Sequence, residues 1–106
     1  MTEFIEIETI GEILKEEFIE AFEINQNILA KALNVPAGRI SEIINNKRDI
    51  SPDTDLRLTK YFGLSEGYFL RLQDNIKLTL KKREITKDIS KIIPINFRKT
   101  NGAIEA

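Results

Sequence analysis

The chain has 106 residues, 42% of them apolar and 31% charged, with a formal net charge of -1 and neither cysteine nor histidine. That length allows one small core with little room for a catalytic cleft, and the missing side chains remove disulfides, thiol nucleophiles, imidazole bases and nearly all zinc chemistry. No apolar run is long enough to span a membrane and the first eight residues are acidic, unlike a signal peptide, so a cytoplasmic protein with no metal or cofactor is expected.

In chain order, Phe4, Ile5 and Ile7 alternate with acids, as an extended arm or a frayed end would. Thr9 followed three residues later by Glu12 is a capping box. Ile10, Ile13, Leu14, Phe18, Ala21 and Phe22 then keep a helical stripe, which predicts a first helix over residues 10–22. Its other face is almost all glutamate. Asn25 caps a second helix over 26–33, whose apolar face is Ile28, Leu29, Ala32 and Leu33, with Ala30 small enough for a close crossing. A third helix over 36–45 carries Ile40, Ile43 and Ile44. The corner between them is short: Asn34 tolerates positive φ, and Pro36 sets φ for the helix start.

Ser51, Pro52 and Asp53 supply an N-cap, an N1 proline and an acid suited to a helix N-terminus. Leu56, Leu58, Tyr61 and Phe62 carry that fourth helix to a stop at Gly63. Ser65 is expected to cap a fifth helix with Phe69, Leu72, Ile76 and Leu80 on one face. Ile85, Ile89, Ile92 and Ile93 keep helical spacing up to Pro94 and fit a short sixth helix over 86–93. That patch finds no core within a monomer and suits packing across a two-fold axis. Residues 96–106 have too few apolar groups to order themselves. The domain plan is an N-terminal arm over 1–8, a helical domain over 9–80 and a basic, partly disordered tail over 81–106.

The second and third helices form a helix-turn-helix, and the bases and amides that follow the third helix suit a phosphate backbone better than a core. Four blocks carry a more specific resemblance: GEILKEEF (residues 11–18), NVPAGRISEIINNKRDIS (34–51), DLRLTKYFG (55–63) and YFLRLQ (68–73). In this order and spacing they resemble the Cro/repressor type of helix-turn-helix, and more narrowly the HigA-type antitoxins of toxin–antitoxin modules. Asn34 stands where the family commonly has the inter-helix glycine, and Asn46 where it often has glycine after asparagine; both accept the left-handed conformation. The resemblance implies an all-α, five-helix domain that binds an inverted-repeat operator as a homodimer. It also implies repression of its own operon and neutralisation of a HigB-like toxin, a ribosome-dependent messenger-RNA endonuclease.

In that fold the exposed start of the third helix faces base edges, which singles out Ala37, Gly38, Arg39, Ser41 and Glu42. Arg39 can make the bidentate contact to guanine, or pair with phosphate or with Glu42; Glu42 can accept from cytosine N4 or orient Arg39. Ala37 suits a thymine methyl and Gly38 a close backbone approach. Gln26 and Asn27 at the start of the second helix, and Asn45, Asn46, Lys47 and Arg48 after the third, are expected to hold phosphates.

Charge is split along the chain. Residues 1–24 hold eight acids against Lys15, whereas residues 81–106 hold seven bases against three acids. The glutamates of the first helix, Glu16, Glu17, Glu20 and Glu23, are candidates for docking a basic RNA-cleaving toxin, or else form a solvated face. Two other readings are a prophage-type repressor without a toxin partner and an enzyme, which would need paired carboxylates in a pocket.

Overall fold

The computed structural model describes residues 6–98, and it holds helices and no strand among them. The expected arm at Phe4 and Ile5, and the tail past residue 98, lie outside the described residues. α1 begins as an α-helix over Ile10–Ile13 and continues as a π-helix over Leu14–Glu20. The Thr9–Glu12 capping box forms in both directions, with Glu12 N donating to Thr9 Oγ1 at 3.1 Å and Thr9 N to Glu12 Oε1 at 3.0 Å. The π-helix changes which residues face inward. Leu14 and Ile19, five apart, are both buried, whereas Ala21 and Phe22, expected on the stripe, are exposed. A wider turn with i→i+5 bonding rotates later residues off a 3.6-residue stripe.

α2 (Gln26–Leu33) and α3 (Ala37–Ile44) form the expected helix-turn-helix. Asn25 Oδ1 accepts from Ile28 N at 2.8 Å, and Asn34 takes the left-handed corner at φ 58. Leu29, Ala30 and Leu33 are buried; Ile28 and Ala32, placed on the apolar face from sequence, are exposed because α2 turns its Ala30 side to the core. Ile40, Ile43 and Ile44 are all buried.

α4 (Pro52–Phe62) is capped by Ser51, whose Oγ accepts from Thr54 N, and ends at Gly63 with φ 73. Leu58 is fully buried, but Leu56 and Tyr61 face outward. The inward stripe of α4 is instead Thr54, Asp55, Leu58 and Thr59. α5 (Tyr68–Ile89) starts two residues later than Ser65 would have it, from Gly67 at φ 86. Ser65 does not cap it. The cap comes from Asp55, whose buried carboxylate accepts from Gly67 N (2.6 Å), Phe69 N (2.9 Å) and Leu70 N (3.2 Å). An anion at a helix N-terminus satisfies donors that have no partner within the helix.

The core joins α1 to the base of α5. Ile10, Leu14, Leu29, Ile40, Ile43, Ile50, Leu58 and Phe69 form one buried cluster, with Phe18 lying 5.0 Å from both Phe62 and Phe69 between ring centroids. Gly11 sits where α1 meets the end of α3, and a Cβ there would lie 2.5 Å from the carbonyl oxygens of both Ile43 and Ile44. Only glycine permits that approach.

The sixth helix differs from expectation. Residues 86–89 are the last turn of α5, and a short α6 (Ile95–Arg98) follows Pro94. No glycine or proline lies between Leu80 and Ser90 to stop α5, so it continues past a kink at Ile85 (φ -112, ψ 20). Its second half leaves the globule. The described chain measures 58 × 33 × 20 Å with a radius of gyration of 18.8 Å, against about 13 Å for a compact domain of this size.

Candidate nucleic-acid interface

α3 presents its N-terminal end outward because its three isoleucines fix the opposite face in the core. Ala37, Gly38 and Glu42 are exposed, while Arg39 and Ser41 are half-buried. Nothing lies within 4 Å of a Cβ built on Gly38, so no contact within the protein requires glycine at this helical position. Arg39 is held: its Nη1 donates to Asp53 Oδ2 at 2.9 Å. The partner considered from sequence, Glu42, is engaged elsewhere, accepting from Arg48 Nε at 2.7 Å.

Asp53 also accepts from Arg57 Nε, at 3.3 Å through Oδ1 and 3.2 Å through Oδ2. Arg57 Nη1 in turn donates to the carbonyl of Leu33 at 2.8 Å, at the corner between α2 and α3. Hydrogen bonding to Arg57 and then to Arg39 holds the Asp53 carboxyl below the usual carboxylate range, against the opposing effect of desolvation.

The segment after α3 is exposed and well tethered. Asn45 Nδ2 donates to the carbonyl of Ser41 at 3.0 Å, Asn46 takes φ 60, and Lys47 N donates to the Glu42 carbonyl at 2.8 Å. Behind it, the buried amide of Gln73 pairs with both backbone groups of Ile50, accepting from its N at 2.7 Å and donating to its O at 3.0 Å. Lys77 is ion-paired with Asp49. Gln26 and Asn27 lie in the first turn of α2, half-buried and exposed in turn. The two sets of expected phosphate contacts thus flank the exposed face of α3, all on one helix-turn-helix unit.

Glu16, Glu17, Glu20 and Glu23 are all exposed on or just after α1, and among the described residues a long 3.9 Å contact between Lys15 and Glu20 is the one ion pair they make. Glu8 joins this acidic surface; partial desolvation, then the charges of Glu16 and Glu17, push its carboxyl above the usual range.

Sequence reasoning missed four residues that position the interface: Gly11, Asp53 as the partner of Arg39, Asp55 and Gln73. Two of them left a signal. Asp55 lies three, four and seven residues before Leu58, Thr59 and Phe62, and Gln73 four after Phe69, so both polar groups fall on inward stripes where they need partners.

A helix-turn-helix family model matches residues 15–69. Virulence-associated protein I of Dichelobacter nodosus is 38% identical over 86 residues, spanning 81% of this chain and 79% of that protein. Among solved structures, Pseudomonas aeruginosa antitoxin HigA with higBA promoter is 34% identical at a TM-score of 0.72, covering 82% of this chain and 95% of that one. A HigA-family addiction module antidote protein from Coxiella burnetii is 36% identical at 0.75, covering 85% and 98%. The chain therefore belongs to the helix-turn-helix family, of the Cro/repressor type, with HigA antitoxins among its structural relatives.

Proposed function

We propose that the protein is an antitoxin that binds operator DNA as a homodimer, represses its own operon and neutralises a basic, HigB-like RNA-cleaving toxin in the cytoplasm. The observation that carries the DNA reading is the exposed face of α3, where Ala37 and Gly38 lead and Arg39 stands behind them. Gly38 is the second residue of α3, and packing among the described residues offers no reason for a glycine there. Close approach of a base edge or sugar is such a reason. Asn45, Asn46, Lys47 and Arg48 on one side, and Gln26 and Asn27 on the other, would hold phosphates and set register. The HigA of Pseudomonas aeruginosa, alike in sequence and fold, was solved with its promoter.

The dimer reading rests on the outer half of α5. Leu78 and Ile89 are exposed on it, Ile92 and Ile93 are exposed just after its end, and a groove of about 580 Å³ runs past Leu78, Ile85 and Ile89. The toxin reading rests on the exposed glutamates Glu16, Glu17, Glu20 and Glu23, which suit a partner basic enough to hold RNA.

Selection from a random-sequence duplex pool tests the DNA reading. The wild type should enrich an inverted repeat with half-sites centred roughly 34 Å, or a multiple of it, apart. Arg39→Ala should flatten the preference at one base of each half-site; an equal loss on selected and random duplexes would make Arg39 a phosphate contact. Co-expression with the product of the adjacent gene tests the toxin reading. A basic protein should co-purify with the wild type and be lost when Glu16 and Glu20 are reversed, with DNA binding retained; no co-purification would leave a repressor without a toxin.

A further inference from the structure

Given the DNA reading above, the geometry assigns Asp53 as the residue that positions Arg39 for base recognition. Arg39 has the reach to contact a base, yet a free arginine on a helix would lose much rotamer freedom on doing so. Here that freedom is already restricted. Asp53 takes only Nη1 of Arg39, at 2.9 Å. The guanidinium has two-donor edges, and the one formed by Nε and Nη2 is left without a bond among the described residues. That edge matches guanine O6 and N7.

Asp53 is itself fixed from behind. Both its oxygens accept from Arg57, and Arg57 reaches the Leu33 carbonyl at the corner of the helix-turn-helix. A chain of charge-assisted bonds therefore runs from the corner between α2 and α3, through the first turn of α4, to the base-facing end of α3. One carboxylate shared by two arginines leaves a net charge of +1, so a carboxylate at this place does not turn the surface against phosphate. Asp53 would touch no base. It acts through Arg39, and its effect should appear in discrimination between sequences rather than in grip on any DNA.

The test uses the full chain and the duplex that the wild type selects from a random pool, alongside an unselected pool as the non-specific probe. Asp53→Asn keeps the size of the side chain and removes the charge. It should weaken binding to the selected duplex by about 2- to 12-fold, the range expected for restoring the freedom of one long side chain, without weakening binding to the unselected pool, which the loss of one negative charge can only tighten. The loss should concentrate at the base that Arg39→Ala flattens, and adding Asp53→Asn to Arg39→Ala should cause no further loss. Arg57→Gln, which loosens the tether but keeps Asp53, should show the same pattern more weakly, and it serves as the test if Asp53→Asn melts early. Equal weakening on both probes, an additive double variant, or tighter specific binding by Asp53→Asn would each overturn the assignment; the last would mean that Asp53 sequesters Arg39. A wild type that selects no sequence would overturn the DNA reading itself, and this inference with it.

Discussion

The two halves of α5 differ in what their side chains meet. In the first half Phe69 is fully buried and Gln73 is clamped to Ile50; in the second, Leu80 and Ile89 stand in solvent. Both halves carry apolar residues at helical spacing, so the pattern alone does not distinguish a core from an interface. The difference lies in what the rest of the chain can place beside them. α1 and α4 pack against α5 in the globule, and past Ile76 no side chain among the described residues is buried. Single exposed apolar residues are ordinary. Leu78, Ile85 and Ile89 on α5, with Ile92 just beyond it, are the surface we propose for a second copy of the chain.

The largest effect that would sharpen this contrast is in the globule. Asp55→Ala removes the acceptor for three backbone donors at the start of α5. Leaving a buried donor unpaired costs about 1–3 kcal/mol; Phe69 N is buried and Gly67 N and Leu70 N partly so, and stability should fall by about 3 kcal/mol, a large share of the total for a domain of this size. Thermal melting should show a fall of at least about 10 °C. An unchanged midpoint would mean that water replaces the carboxylate, and that the base of α5 is less closed than its burial indicates.

A weaker effect on folding, but a clear one on assembly, is expected in the arm. Changing Ile89 and Ile92 together to lysine should leave the melting of the dilute protein within about 0.5 kcal/mol of wild type, as for other exposed positions. Dimer affinity, read by sedimentation, should fall by at least about tenfold, because each isoleucine removed from an interface forfeits more than 1.4 kcal/mol of burial. Specific DNA binding should weaken with it, since the two half-sites are no longer read by a linked pair. Unaltered self-association would break the comparison and assign the stripe elsewhere.

Local rules made most of the globule legible. Thr9, Asn25, Asn34, Ser51 and Gly63 each do what their chemistry prescribes within four residues along the chain. What sequence could not supply depends on spacing that only packing sets. The stripe of α1 failed at Ala21 and Phe22 because a π-helical stretch widened the turn, and no residue type marks such a change. Ser65 failed as a cap because a better acceptor, Asp55, arrives from another helix. On α3 the exposure of Ala37, Gly38 and Glu42 was readable from the buried isoleucines, whereas Arg39 and Ser41, expected to be exposed, are half-buried. The partner of Arg39 was not readable, because Asp53 lies 14 residues away and meets it only once α4 has packed.

The smallest expected effect lies on the acidic surface beside α1, where the globule itself keeps an unfavourable arrangement. Glu8 is pushed above the usual carboxylate range, first by desolvation and then by the charges of Glu16 and Glu17. A carboxyl whose folded value is raised binds its proton more tightly folded than unfolded, so ionising it opposes folding. That penalty is present at neutral pH and disappears as pH falls through the raised value into the range where the carboxyl is protonated in both states. Glu8→Gln should therefore raise the melting temperature slightly at pH 7, with the difference closing as pH is lowered to about 4. Added salt should shrink the difference at pH 7, because part of it is repulsion between exposed charges. A difference that persists in acid would assign the effect to packing at the start of α1. If it closes as expected, the acidic surface beside α1 is less stable alone than it would be beside a cationic partner.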